Sequence, residues 1–355
     1  MVRLPPKSNQ HNHGNATMRQ STALLPETQV RLTELHFPHN RVHVHRTRLA
    51  FIHLDNLLSF AKIDRDGRLD GYVAAYLPDE IVLLLMRRGE VITAISFTGG
   101  GRLVVPIAKA LKDIRDEMER GELAYCDASM EQLAWMYTSC VAPPKRRVVD
   151  AAQPATLFPA LRHELFTGVL ELISSGRVSY FRFEDGVFLN GYYCGKSEHL
   201  TVPQYVESLF EPNAEGVRPQ IAAGVFPPKT EIPEQAAPAM IEIYRDLFWR
   251  IAEAAEKEVP VEALKRAYKL RDSLASTHRP LPVIGTPRDR EPAALVATSE
   301  ELTFALADWA LQLLGQLEIA SPGVAPRVLQ EATREQRFML QKANFFPRLP
   351  WTVHW

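Results

Sequence analysis

Seven of the eleven histidines fall within the first 53 residues, at positions 11, 13, 36, 39, 43, 45 and 53. In a strand, His43 and His45 share a face, and with His53 or His39 they offer three imidazole nitrogens of the kind zinc takes. Such a centre would make the chain a metal-dependent hydrolase, but no carboxylate-and-water arrangement can be named to complete it. A polar arm with incidental histidines accounts for the same residues, and no metal or other cofactor is expected. A second cluster, Thr98-Gly99-Gly100-Gly101-Arg102, runs toward Pro106, where a helix is expected to start. Backbone amides of a glycine-rich turn beside a positive helix end suit an anion, so these five residues are the candidate site of a small-anion or nucleotide sensor.

Other chemistry is weakly represented. Gly191 to Ser197 resembles a phosphate loop, but three residues separate its glycines where GxxxxGK[ST] needs four, and two of them are tyrosines. There is no GxSxG, and Cys126, Cys140 and Cys194 have no evident base beside them. Three cysteines without a CxxC pair suit a reducing cytoplasm. Residues 1–14 lack the apolar core of a signal peptide, and the longest strongly apolar run, Ile81 to Met86, is too short to span a bilayer. A cytoplasmic protein without a membrane span is therefore expected.

Positioning such residues falls to a chain of 355 residues, enough for two or three domains, with ordinary globular composition: 46% hydrophobic and 23% charged. Lys and Arg number 41 against 42 Asp and Glu, and this balance gives no sign of a nucleic-acid partner. The near-neutral total hides a local excess of four positive charges over residues 1–60. Prolines number 26 against 18 glycines, which predicts short elements between stiff joints.

The expected organisation starts with a flexible His- and Pro-containing arm at 1–45, followed by an α+β unit at 46–142. In that unit Leu54, Leu57, Leu58 and Ala61 predict a helix. Strands are predicted at Gly71–Leu77, Glu80–Arg87 and Glu90–Phe97, separated by turns short enough for an antiparallel meander. A helix then opens at Pro106 and carries Ile107, Leu111, Ile114 and Met118 on one face. After a linker at 143–153, a second α+β unit spans 154–228 and repeats the plan 97 residues later. Gly71, Gly89, Leu103, Val105 and Pro106 recur as Gly168, Gly186, Leu200, Val202 and Pro203, five identities in 36 ungapped positions. The matches fall on turn glycines and a helix-initiating proline, where backbone geometry restricts the choice of residue. Linkers at 229–239 and 280–297 bracket a helical hairpin at 240–279. Thr298-x-x-Glu301 then caps a helical region at 298–355. Its helix is apolar around most of its circumference, and an aromatic tail follows. Trp309, Leu313, Phe345, Phe346 and Trp351 are the candidate partner-binding residues, with a homo-oligomer through these helices as one outcome.

Leu165 to Leu172, followed by Tyr180 to Gly186, resembles the bacterial PATAN-like domain with its pattern of a glycine, alternating apolar residues and a Tyr-Phe-x-x-Gly stretch. The first unit resembles a diverged copy, and Ile243 to Ile251 resembles the helix that often follows the domain. The resemblance implies a regulatory role among signalling or motility proteins and supplies no catalytic residues. No receiver domain with an acidic phosphorylation pocket accompanies it here. The sequence thus predicts a non-enzymatic signalling or scaffold protein acting through protein–protein contacts. The anion sensor and the metal-dependent hydrolase are the alternatives.

Overall fold

Tight turns set the registers of the strands. Arg88-Gly89, Ser175-Gly176 and Asp185-Gly186 hold positive φ at both positions, the mirror-image turn whose twist matches that of paired strands. The computed structural model of the chain describes residues 31–63, 69–229, 231–260 and 263–355. Its first sheet uses β1 (Arg41–Arg48), β2 (Gly71–Tyr76), β3 (Glu80–Arg87), β4 (Glu90–Thr98), β5 (Gly101–Val105) and β6 (Glu122–Asp127). With it go α1 (Leu54–Ile63), α2 (Ile107–Asp116) and α3 (Met130–Val141). The second sheet uses β7 (Lys145–Arg146), β8 (Gly168–Ser174), β9 (Arg177–Glu184), β10 (Val187–Tyr192) and β11 (Ile221–Phe226), with α4 (Leu157–His163) and α5 (Val202–Ser208). The fold is α+β, and every strand pair in both sheets is antiparallel.

The sheets share a plan. The first runs β1-β6-β2-β3-β4-β5, and the second, read from its opposite edge, runs β7-β11-β8-β9-β10. The equivalent strands β4 and β10 each carry a β-bulge. Ile92 is the extra residue between the pairs Met86↔Val91 and Leu85↔Thr93. Leu189 is the extra residue between Phe183↔Phe188 and Arg182↔Asn190. The bulges lie at the same spacing as Gly71 and Gly168. Among the described residues, β5 has no counterpart in the second sheet.

Both sheets are covered on both faces, which is why their inner strands read as continuous apolar runs. One core lies between the sheets and joins Leu83, Ile95 and Phe97 to Val169, Ile173 and Tyr180, with Trp135 and Met136 of α3 among them. The outer face of the first sheet packs on α1 and α2 through Val73, Leu84, Ala110 and Ile114. That of the second sheet packs on α4 and α5 through Leu161, Leu170, Phe181 and Val206. The expected pair of units joined by linkers is therefore one body with a shared core.

The expected arm and linkers turn out to be structured in part. Residues 1–30 lie outside the described residues, but the rest of the arm is tied down: Leu35 and Phe37 enter the shared core, and β1 is an edge strand. The His36 N–H donates to the Gly176 carbonyl (2.8 Å) and the Val178 N–H donates to the His36 carbonyl (2.9 Å), fastening the arm to the β8–β9 hairpin. In the 143–153 connector, β7 pairs with β11, where Gly224 leaves room for Pro144. Residues 231–236 form an extended strap between the first sheet and the helices. The Gln235 N–H donates to the Ile92 carbonyl (2.8 Å) and the Ala236 N–H to the Ala297 carbonyl (2.7 Å).

The helical region comprises α6 (Pro238–Glu258), α7 (Ala263–Leu274), α8 (Leu281–Ile284), α9 (Ser299–Ala320), α10 (Val324–Thr333) and α11 (Arg337–Lys342) around one core. The connector expected at 280–297 contains α8, whose Leu281 and Ile284 are fully buried. The capping box at Thr298 forms with both of its bonds, Glu301 N to Thr298 Oγ1 (3.1 Å) and Thr298 N to Glu301 Oε2 (2.7 Å).

Gly176 tests the hairpin and the arm together. Its φ is +78°, and a Cβ there would lie 2.1 Å from the Glu34 carbonyl oxygen. Gly176→Ala should lower stability in urea unfolding by about 2 kcal/mol or more through backbone strain and loss of the docked arm. Gly99→Ala, which meets nothing within 4 Å, should change it little.

Candidate functional site

Arg102, the cation of the anion-site cluster, is the second residue of β5 and is buried at the junction of the two sheets. Its Nη1 and Nη2 donate to Oε1 and Oε2 of Glu171 on β8, at 2.9 and 2.8 Å. The two side chains are 4% and 1% exposed, so this is a buried, two-pronged ion pair. Burial opposes the charge on Arg102, but the Glu171 carboxylate outweighs it and holds the guanidinium protonated. The anion that the sequence left to a ligand is supplied by the second unit.

The glycine run also lies elsewhere than expected. Gly99 and Gly100 form an exposed turn between β4 and β5, where the Gly100 N–H donates to Thr98 Oγ1 (3.2 Å). The strand β5 separates that turn from α2, so no glycine amide joins the helix end. What meets the start of α2 is Gln235 of the strap: its Oε1 accepts from the Ile107 N–H (3.2 Å). This part of the sensor reading is corrected because the residues after the turn pair as a strand.

The histidines are dispersed. His43 Nε2 bonds to Asp127 on β6, whereas His45 is exposed. Register shifts on both sides of Val44 break the alternation that would have kept the two rings in step. His53 Nδ1 accepts from the Asn56 N–H (3.4 Å) in the first turn of α1. Among the described residues, no group of three or more His, Cys, Asp or Glu side chains stands close enough to hold a metal ion. The thiols are all buried, and burial is the first cause raising each: Cys126 and Cys194 to about 11 and Cys140 to about 12. None is a thiolate near neutral pH.

The partner-binding candidates divide into two groups. Trp309, Leu313 and Phe345 are fully buried in the chain's own helical core. Trp309 stacks on Phe248 with ring centroids 4.0 Å apart and donates from Nε1 to the Ala267 carbonyl (3.1 Å). The helix α9 is apolar on most sides because α6, α7, α8 and α10 surround it, which removes these three residues from any partner surface. Phe346 and Trp351 are half-buried. Together with Pro347, Pro350, Val353 and Trp355 they line an open groove of about 420 Å³. Phe346 meets Trp355 edge to face at 5.7 Å, and Trp355 is 42% exposed. Trp355 lies beyond the aromatic run at 345–351 that the sequence marks, although the density of aromatic and proline residues there is a usable signal for it.

No protein-family model, curated protein or solved structure matches the chain.

The ion pair is tested by removing one or both charges. Glu171→Gln should cost about 3–5 kcal/mol in urea unfolding, because Arg102 is left charged and uncompensated. Arg102→Met combined with Glu171→Leu should recover most of that loss. In the native protein at pH 8, a thiol reagent should label the three cysteines slowly, with all three reacting at once in denaturant.

Proposed function

We propose that this chain is a non-enzymatic signalling or scaffold protein that acts through protein–protein contacts, with the groove of Phe346, Trp351 and Trp355 as its docking surface. The observation that carries this reading is the different use made of apolar and polar groups. Arg102, Glu171 and His43 are engaged with one another or with Asp127 inside the fold, whereas the aromatic groove is left open. Apolar, aromatic and proline-rich surface next to exposed tryptophan is the composition of interface anchors.

The PATAN-like resemblance supports the same reading through its regulatory associations, and the strand order shared by the two sheets fits a tandem arrangement of such units. A cytoplasmic setting belongs to this proposal and is supported by three free cysteines. Among the described residues, no helix is long and apolar enough to cross a membrane. Self-association through Trp309 and Leu313 loses its basis because both side chains are buried in the chain's own core. A homo-oligomer would have to use other surface.

Deleting residues 298–355 would remove the centre of the helical core, so surface substitutions give the cleaner test. Trp355→Lys should shift stability by only about 0.5 kcal/mol, as an exposed substitution does. It should abolish capture of specific partners in a crosslinking pull-down from the native host. An unchanged set of captured proteins, with folding intact, would overturn the groove as the docking surface.

A further inference from the structure

β4 and β10 are equivalent strands with the same bulge, but their outer edges are treated differently. On the first sheet, the second half of β4 pairs with β5 from Ala94↔Val105 to Thr98↔Gly101. The first half is covered by the strap. The Gln235 N–H donates to the carbonyl of the bulged residue Ile92 (2.8 Å), and its side-chain Nε2 donates to Thr93 Oγ1 (2.8 Å) and the Val105 carbonyl (2.9 Å). Glu234 pairs with Arg87 at the hairpin, and Ile232 is buried in the shared core.

On the second sheet, β10 is the outermost strand. Among the described residues, no segment makes the strap's contacts with it. The bulged residue Leu189 is 48% exposed and Val187 is 55% exposed. Asn190, which stands where Thr93 does on β4, has a buried Oδ1 without a hydrogen-bond partner, although its Nδ2 donates to Glu131 (2.8 Å). The segment Val187–Tyr192 carries no charge. Open edges are normally guarded by charge, brevity or a cover. Here β1 carries three arginines and two histidines, β7 has two residues, both cationic, and β5 is held by Gln235. Among the described residues, β10 alone has none of these guards.

We propose that the β10 edge receives an extended peptide from a partner protein, in the place that residues 231–236 occupy on β4. Strand addition to an open edge is an established mode of peptide recognition, in which main-chain bonds give affinity and side chains give selectivity. The strap specifies the peptide's chemistry. Its Gln235 defines a polar side chain, here in register with Asn190. Its Ile232, three residues earlier, defines an apolar anchor. The charge reverses: the residue equivalent to Arg87 is Glu184, so Lys or Arg belongs where the strap has Glu234. The recognised sequence is thus apolar-Pro-Arg-Gln. This proposal rests on the protein-contact reading but uses a surface separate from the aromatic groove, so either can fail without the other.

The test uses the full chain and two fluorescein-labelled peptides, Ala-Ile-Pro-Arg-Gln-Ala and its counterpart with Glu in place of Arg, followed by fluorescence anisotropy. The Arg peptide should bind saturably and about fivefold tighter than the Glu peptide, the range of an exposed pair exchanged for a like-charge contact. Glu184→Arg should reverse the preference, Leu189→Asp should abolish binding of both peptides, and Trp355→Lys should leave both unchanged. Absence of saturable binding up to millimolar peptide, or a preference unmoved by Glu184→Arg, would overturn the proposal. So would a concentration-dependent dimer in light scattering that Leu189→Asp dissolves, because the occupant would then be a second copy of the chain.

Discussion

A guanidinium buried between two sheets leaves the chain little choice of arrangement. Arg102 comes from the last strand of one sheet and Glu171 from the middle strand of the other, and both side chains are almost fully enclosed. A buried ion pair adds little net stability, since desolvation offsets the attraction. It does penalise every packing in which the two groups fail to meet. The apolar side chains around it, Phe97, Trp135 and Tyr180, tolerate some sliding, but a two-pronged pair does not. The pair therefore sets the position of one sheet on the other, and the shared core fills in around that alignment.

With the sheets aligned, the remaining joints follow the same logic of one polar group serving several neighbours. Gln235 accepts from the first turn of α2 and donates to β4 and β5, while its own N–H fills the carbonyl at the bulge. The next residue bonds to Ala297 at the edge of the helical core. The helices thus reach the first sheet through two consecutive residues with defined polar contacts.

Local features were legible in the sequence, and distant pairings were not. Arg88-Gly89 and Asp185-Gly186 announced their hairpins because few residues accept that turn, and Thr298 with Glu301 announced α9 through a bond spanning three positions. The spacing of Gly71 and Gly168 pointed to a repeat whose strand order and bulges are now visible. By contrast, the existence of β5, β6 and β11 is decided by their partners. Glu171 stands 69 positions from Arg102, so nothing local could pair them. Trp309, Leu313 and Phe345 are covered by their own chain, which sequence does not reveal, because an all-round apolar helix looks the same whether its cover comes from its own chain or another. Prolines carry a related ambiguity: a rigid joint has the composition of a linker, yet Pro144 and the strap's Pro233 lie in segments pressed against the sheets.

The strap also bears on the order of synthesis. The first sheet's β4 edge and the start of α2 are completed by a side chain that follows Thr93 by 142 positions, after the whole second sheet. Arg102, likewise, leaves the ribosome before its carboxylate. A nascent first unit therefore carries an unneutralised cation and an uncovered strand edge, and cannot settle into its final form alone. Completion of the amino-terminal half therefore waits for the middle of the chain.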